Sequence, residues 1–182
     1  MYCISASTSN GPIDLMQIHW PDRYLPSFGQ TEFKSDLVRD DSIPIEETAA
    51  ALRDLIEAGK IRYIGLSNES PLGVCEWVKA TTNLGFRDCL VSIQNSYSLL
   101  DRGFDGDLAE VCNFHNIGLL PWSILAGGLL SGKYSKGQTA PPDSRFVKYP
   151  AYMKRWSPVT ASVATLDAVE RYAKSRKRIQ YL

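Results

Sequence analysis

The chain lacks the features that define several protein classes. Its 182 residues include only two histidines and four cysteines, and no two cysteines form a CxxC pair. We therefore predict no metal site and reduced cysteines. No run approaches the ~18 apolar residues that a transmembrane helix needs. Acidic and basic residues number 20 each, so we expect neither nucleic acid nor a membrane as a partner.

We also expect no signal peptide, because the first residues show neither a basic stretch nor an apolar stretch. This favours a cytoplasmic protein. A plastid location is the alternative if the natural N-terminus precedes Met1. The basic residues after Glu170 predict the solvated face of a last helix, with a nucleic-acid arm as the less favoured interpretation.

Four short apolar runs have the length and flanks of buried parallel strands. They span 13–19, 61–66, 89–94 and 118–122. Helical periodicity follows each run and predicts helices over about 45–58, 70–84, 107–116 and 160–176. Two remaining segments, 21–42 and about 133–158, are predicted to be long loops. Alternating strands and helices predict an α/β fold with a parallel sheet.

Two architectures fit this alternation: an open doubly wound sheet and part of a (β/α)8 barrel. A dinucleotide-binding sheet of the first kind carries GxGxxG after an early strand, and none of the four runs is followed by that motif. Each run ends instead in polar or aromatic residues. In a barrel these residues meet at one mouth, where active sites lie. The pattern therefore favours the barrel.

The residues at the strand ends allow two interpretations each. His19 is either a hydrogen-bonded histidine at a strand end or a catalytic group. Ser67, Asn68 and Gln94 carry groups that suit a primary carboxamide, although Asn68 is equally suited, with Ser70, to capping the next helix. The sequence alone leaves these alternatives open.

The fourth strand end is aromatic and is followed by glycines. Trp122 offers a flat face for a planar ring, or it belongs to the core. Gly127 and Gly128 would let the backbone approach a ligand closely or cradle a phosphate. A glycine pair is weak evidence by itself, and it gains weight here from its position after a strand end.

Four runs resemble the aldo-keto reductase family, most of all its bacterial and plant members with a long loop after the fourth strand. These runs are 13–24, 59–68, 92–100 and 122–134. The resemblance implies a partial (β/α)8 TIM barrel of about four βα units, strands four to seven, plus a C-terminal helix. It divides the chain into an atypical N-terminal segment 1–11, an incomplete NADP-dependent oxidoreductase domain 12–174 and a basic tail 175–182.

The resemblance implies NADPH-dependent hydride transfer to an aldehyde or ketone. His19 matches the catalytic histidine that orients the substrate carbonyl. Trp122 matches the aromatic residue, usually Tyr, that stacks on the nicotinamide ring. The residues that match the carboxamide-binding set are Ser67, Asn68 and Gln94. Those that match the loop around the pyrophosphate are Ser123, Leu125, Gly127 and Leu129, with Ile124 in place of the usual Pro.

The family's catalytic Tyr, Lys and Asp have no counterpart in these residues, and neither has the segment that binds the 2′-phosphate of NADPH. We therefore expect a partial cofactor site and a chain that is inactive alone. Exposed strand edges and an exposed inner face would favour self-association. The alternatives are a non-catalytic nucleotide-binding regulatory or assembly module, or a half-barrel that another chain completes. The sequence does not specify the carbonyl substrate, whose pocket we expect Trp20, Tyr24 and Phe28 to line.

Overall fold

The computed structural model describes residues 3–5, 11–27, 30, 32–131, 134, 140–156 and 163–179. Phe28 and residues 180–182 of the predicted tail lie outside these ranges. The strands are β1 Cys3–Ser5, β2 Ile13–Ile18, β3 Ile61–Ser67, β4 Leu90–Gln94 and β5 Gly118–Leu119. The α-helices are α1 Ile45–Glu57, α2 Pro71–Asn83, α3 Asp107–Phe114, α4 Arg145–Lys148, α5 Pro150–Met153 and α6 Val163–Ile179.

One sheet holds the strands in the order β1-β2-β3-β4-β5. β2 to β5 pair in parallel, as the alternation of strands and helices predicts, and the α/β class is confirmed. β1 is an addition that the sequence did not predict, and it pairs antiparallel to β2 with Cys3 opposite Ile18. The fourth predicted strand is shorter than expected, because after Leu119 its pairing continues only as an isolated bridge between Trp122 and Ser96.

Turn chemistry explains where the helices begin and end. The Ser70 hydroxyl accepts a hydrogen bond from the Gly73 amide and Pro71 takes the first position, so the predicted start of α2 is confirmed. Gly59 and Gly85 follow α1 and α2 with φ values of 66° and 78°, as expected of residues that end helices. After α3 this left-handed position belongs to Asn116, with φ 54°, and Gly118 starts β5, as the predicted run 118–122 has it.

The chain divides into two compact units. The first contains residues 1–96 and 103–122, and the second contains 97–102 and 123–182. The core of the first unit lies between the parallel strands and α1 to α3. Ile64 and Leu66 of β3 are buried there with Leu52 of α1 and Val74 of α2. Burial also raises the pKa of the Cys112 thiol to about 11, so this side chain is an uncharged apolar group at neutral pH.

The second unit is more helical than the sequence predicted. α4 and α5 lie within the segment 133–158, which we expected to be a loop. Met153 and Trp156 are buried in this unit with Val169 of α6. α6 runs to Ile179, so the first residues of the predicted tail continue the last helix. In the described residues, no helix combines the length and the apolar character needed to cross a membrane.

The buried face of β3 sets a stability prediction. Ile64 is fully buried, so Ile64→Ala should lower the free energy of unfolding by about 2–5 kcal/mol through lost burial and a residual cavity. Phe114→Ala is the matched control, because Phe114 is 79% exposed and its loss should change stability by less than about 0.5 kcal/mol. Urea unfolding followed by circular dichroism measures both, and equal losses would contradict the assigned core.

Candidate active site

The Asn68 side chain joins the ends of three strands. Its Nδ2 donates hydrogen bonds to the His19 carbonyl oxygen at 2.9 Å and to Ser67 Oγ at 3.0 Å. Its Oδ1 accepts from Trp122 Nε1 at 3.2 Å. Because an indole N–H can only donate and a carbonyl can only accept, these partners fix which end of the Asn68 amide is nitrogen. Asn68 adopts a left-handed backbone with φ 57°.

Gln94 belongs to the same network through its backbone. Its carbonyl oxygen accepts from Ser67 Oγ at 2.8 Å and from the backbone N–H of Asn68 at 3.0 Å. The structure thus brings together His19, Ser67, Asn68, Gln94 and Trp122, five of the predicted site residues. The capping alternative is confirmed for Ser70 and wrong for Asn68, whose side-chain bonds go to the neighbouring strand ends.

The network leaves a defined hydrogen-bonding capacity at this mouth. The Ser67 hydroxyl has used its only hydrogen, and both Asn68 Nδ2 hydrogens are committed. Each side chain keeps an acceptor lone pair, on Ser67 Oγ and Asn68 Oδ1. The half-buried Gln94 side chain adds an amide donor. Two acceptors and one donor complement the NH₂ group and the carbonyl oxygen of a primary carboxamide, so the residues fit a nicotinamide.

His19 follows directly after β2 at the same strand ends. Its ring lies against the Trp20 ring, with the centroids 5.8 Å apart and the planes tilted by 58°. The His19 backbone is held by Asn68, so the position of this residue depends on the Asn68 network. The imidazole is half-buried, which is compatible with contact to a ligand.

Two charged residues that the sequence analysis did not single out lie beside this network. Arg23 Nη1 and Nη2 donate to Glu69 Oε1 and Oε2 at 2.8 and 2.6 Å. The Glu69 side chain is only 3% exposed. Hydrogen bonding with Glu69 raises the pKa of the Arg23 guanidinium. The signal in the sequence was Glu69 itself, because an acid two residues after the end of a buried strand requires a partner when it is buried.

A buried polar row lies one layer below the strand ends. Gln17, Gly65 and Ser92 are in register on adjacent strands, two residues before His19, Ser67 and Gln94. A Cβ on Gly65 would overlap Ser92 Oγ and press on Gln17, so glycine is required by close packing. Within the described ranges, Gln17 Nε2 and Ser92 Oγ have no hydrogen-bond partner. No strand-end motif in the sequence predicts this row.

A cavity of about 280 Å³ lies next to Trp20 and Arg23. Its remaining lining residues are Ile18, Pro21, Asp22, Ile43, Ile45, Thr48 and Trp77. Ile18 points away from the face that carries Gln17 and His19, so the cavity lies between the sheet and its helices. Of the residues expected to line a substrate pocket, Trp20 borders it, while Tyr24 packs on Phe33 with centroids 5.5 Å apart. None of the predicted site residues borders this cavity.

The other four predicted residues lie in the second unit. Ser123 has φ 58°, and the Leu125 carbonyl accepts from the amides of Gly128 and Leu130 at 2.8 and 3.1 Å. Leu129 is buried. A Cβ on Gly127 would overlap the Met153 side chain. Gly127 also has φ 67°, a left-handed backbone that favours glycine.

Within the described ranges, no three His, Cys, Asp or Glu side chains form a group that could hold a metal ion. The cysteines Cys75, Cys89 and Cys112 are free thiols. The hydrogen-bonding groups gathered at the strand ends are amides, hydroxyls and an indole. Such a set recognises a neutral polar ligand by donor and acceptor pattern rather than by charge.

Comparison with known proteins places these features in a family context. The model of the Aldo/keto reductase family matches residues 8–180. An aldo-keto reductase from Babesia bovis is 35% identical over 164 residues, which are 85% of this chain and 57% of that protein. Protein tas from Escherichia coli K12 is 41% identical over 128 residues, which cover 69% of this chain and 36% of the relative.

A solved structure agrees with the sequence comparison. The glycerol dehydrogenase AKR11B4 from Gluconobacter oxydans superposes with a TM-score of 0.57 at 30% identity. The match covers 91% of this chain and 42% of that structure. The chain therefore spans between about one third and three fifths of the length of the proteins it matches.

The left-handed backbone of Asn68 gives a testable order of stability. Asn68→Ala and Asn68→Gly both remove the side-chain hydrogen bonds, but a Cβ at φ 57° costs about 1 kcal/mol that glycine avoids. We expect the glycine variant to unfold at higher urea. At the helical position Asn113 the order should reverse, because alanine favours a helix over glycine by about 1 kcal/mol. The same order at both positions would contradict the assigned backbone.

Proposed function

The chain belongs to the aldo/keto reductase family, and on that premise we propose that it serves NADPH-dependent hydride transfer to an aldehyde or ketone. The observation that carries the proposal is the Asn68 network, whose unused acceptors and neighbouring amide complement a primary carboxamide. The nicotinamide ring carries such a group. The cofactor, once bound, would supply the hydride.

We propose the following roles for the first unit. Ser67 Oγ and Asn68 Oδ1 accept from the carboxamide NH₂ group, and the Gln94 side chain donates to its carbonyl oxygen. Trp122 supports the flat ring, because its indole is held at one edge by Asn68 and an aromatic face suits stacking on a planar ring. His19 orients the substrate carbonyl by hydrogen bonding.

We propose that the second unit carries a loop that binds a pyrophosphate. Ser123, Leu125, Gly127 and Leu129 would act through backbone groups, since the Leu129 side chain is buried and Gly127 has none. The left-handed residues Ser123 and Ala126 support a functional loop, because such strained positions concentrate at ligand sites.

We propose that this chain alone binds the cofactor weakly and turns over poorly. The sequence contains no match to the family's catalytic Tyr, Lys and Asp, and positioned acid–base catalysis contributes about 10²–10⁴-fold to a rate. It also contains no match to the 2′-phosphate segment. The domain limits 12–174, flanked by segment 1–11 and tail 175–182, stay predictions, as does the cytoplasmic location with its plastid alternative.

We propose two partners. One is a small carbonyl substrate, and the other is a second copy of this chain. Tyr63 on the inner face of β3 is 46% exposed, and Leu120 after β5 is 40% exposed. Apolar side chains on the inner face of a parallel sheet are normally covered. Their exposure supports self-association, because a second copy of the chain would bury these side chains.

Titration with NADPH tests the proposed binding site directly. We expect quenching of the Trp122 fluorescence, because the nicotinamide would stack on this indole. Gln94→Leu should raise the Kd by about tenfold, since it leaves the carboxamide oxygen without a donor. Asn83→Leu is the matched control at an exposed position at the end of α2, and it should leave the Kd unchanged.

Two further arms separate the alternatives. Trp122→Phe should abolish the quenching, which identifies the reporting indole among the four tryptophans. NADPH consumption with a small aldehyde then distinguishes an enzyme from a nucleotide-binding regulatory module, which would bind without turnover. If wild-type protein shows no quenching at millimolar NADPH, the proposed site is wrong.

A further inference from the structure

The Arg23–Glu69 pair connects the two segments that carry the proposed chemistry. Arg23 lies four residues after His19, in the segment that leaves β2. Glu69 follows Asn68 directly, at the end of β3. The guanidinium grips the carboxylate with two parallel hydrogen bonds of 2.8 and 2.6 Å, and Arg23 Nη2 also donates to Ser70 Oγ at 3.1 Å. Bidentate pairs of this kind fix orientation as well as distance.

The surroundings of the pair are shaped to hold it. Glu69 Oε2 also accepts from the Ser70 amide at 3.0 Å. The Glu69 carbonyl oxygen accepts from Asn95 Nδ2 at 2.9 Å, which adds the residue after Gln94 to the same assembly. A Cβ on Gly73 would overlap both Glu69 Oε2 and Arg23 Nη2. Glycine at the first turn of α2 therefore makes room for the pair.

Closure of the loop after β2 does not explain the pair. Asp22 Oδ2 accepts from the Ile43 amide at 2.7 Å, and this bond already joins the two ends of the segment 23–42. Arg23 reaches instead toward α2 and the end of β3. Its hydrogen bonds therefore hold the segment after His19 against the end of β3, where Asn68 lies. They do not hold the two ends of the loop together.

We propose that Arg23 and Glu69 are positioning residues that hold the substrate-orienting His19 in register with the carboxamide-binding Asn68. The inference deepens the proposed function and rests on it. Glu69 fixes the position of the Asn68 backbone, and Arg23 fixes the position of the segment that begins at His19. Loss of the pair would therefore loosen the Trp122–Asn68 hydrogen bond without touching either residue.

The test reads the Trp122 indole N–H by ¹⁵N nuclear magnetic resonance of the full chain, with Trp122→Phe to assign the signal. In Arg23→Met and Glu69→Gln we expect a displaced Trp122 resonance, about tenfold faster hydrogen exchange of this N–H, and an NADPH Kd raised about tenfold. Arg23→Lys keeps the charge but cannot form two parallel hydrogen bonds with the carboxylate. It should therefore give intermediate changes in the Trp122 resonance, the exchange rate and the Kd. If the first two variants do not fold, this variant decides the question.

A matched control separates positioning from general stability. Arg87 also makes two side-chain hydrogen bonds, to the carbonyl oxygens of Leu90 and His115, but at the opposite ends of the strands. Arg87→Met should lower the melting temperature and leave the Trp122 resonance unchanged. An unchanged Trp122 signal in the Arg23 and Glu69 variants would overturn the proposal. The signal is read without NADPH, so absence of NADPH binding by the wild type would refute only the proposed function.

Discussion

The candidate site depends on one carboxamide whose hydrogen-bonding groups are almost entirely used. Asn68 binds the His19 carbonyl, Ser67 and Trp122 at once, and it does so from a left-handed backbone. Because the His19 carbonyl can only accept and the Trp122 indole N–H can only donate, the network has a single arrangement. That arrangement leaves unused acceptor lone pairs, and no unused hydrogens, on Ser67 Oγ and the Asn68 side chain. The primary carboxamide proposed as the ligand group follows from these unused acceptors.

Much of the site was predictable because parallel strands end at one edge of a sheet. The sequence shows where each apolar run stops, and the residues after those stops include His19, Asn68 and Trp122. Periodicity likewise predicted α1 and α2, whose first and last turns follow from Ser70, Gly59 and Gly85. These signals are local, so a single sequence suffices to interpret them.

The features that escaped prediction depend on contacts between distant residues. The antiparallel β1 is three residues long, and its pairing with β2 has no local signature. Arg23 and Glu69 are 46 positions apart, and the sequence around either residue does not indicate the other as its partner. Gly73 looks like an ordinary glycine in a helix until the pair beside it is seen. The predicted role of Gly127 at a ligand stays a prediction, and its contact with Met153 is likewise visible only in the fold.

The most direct measurement of the central claim is a double-mutant cycle between Asn68 and Trp122. Asn68→Gly, Trp122→Phe and the double variant are compared by their free energies of unfolding. A direct hydrogen bond predicts a coupling energy of about 0.5–1.5 kcal/mol, because either single change already removes the bond. Additive effects, with a coupling energy near zero, would show that the indole does not hold Asn68 and would contradict the account.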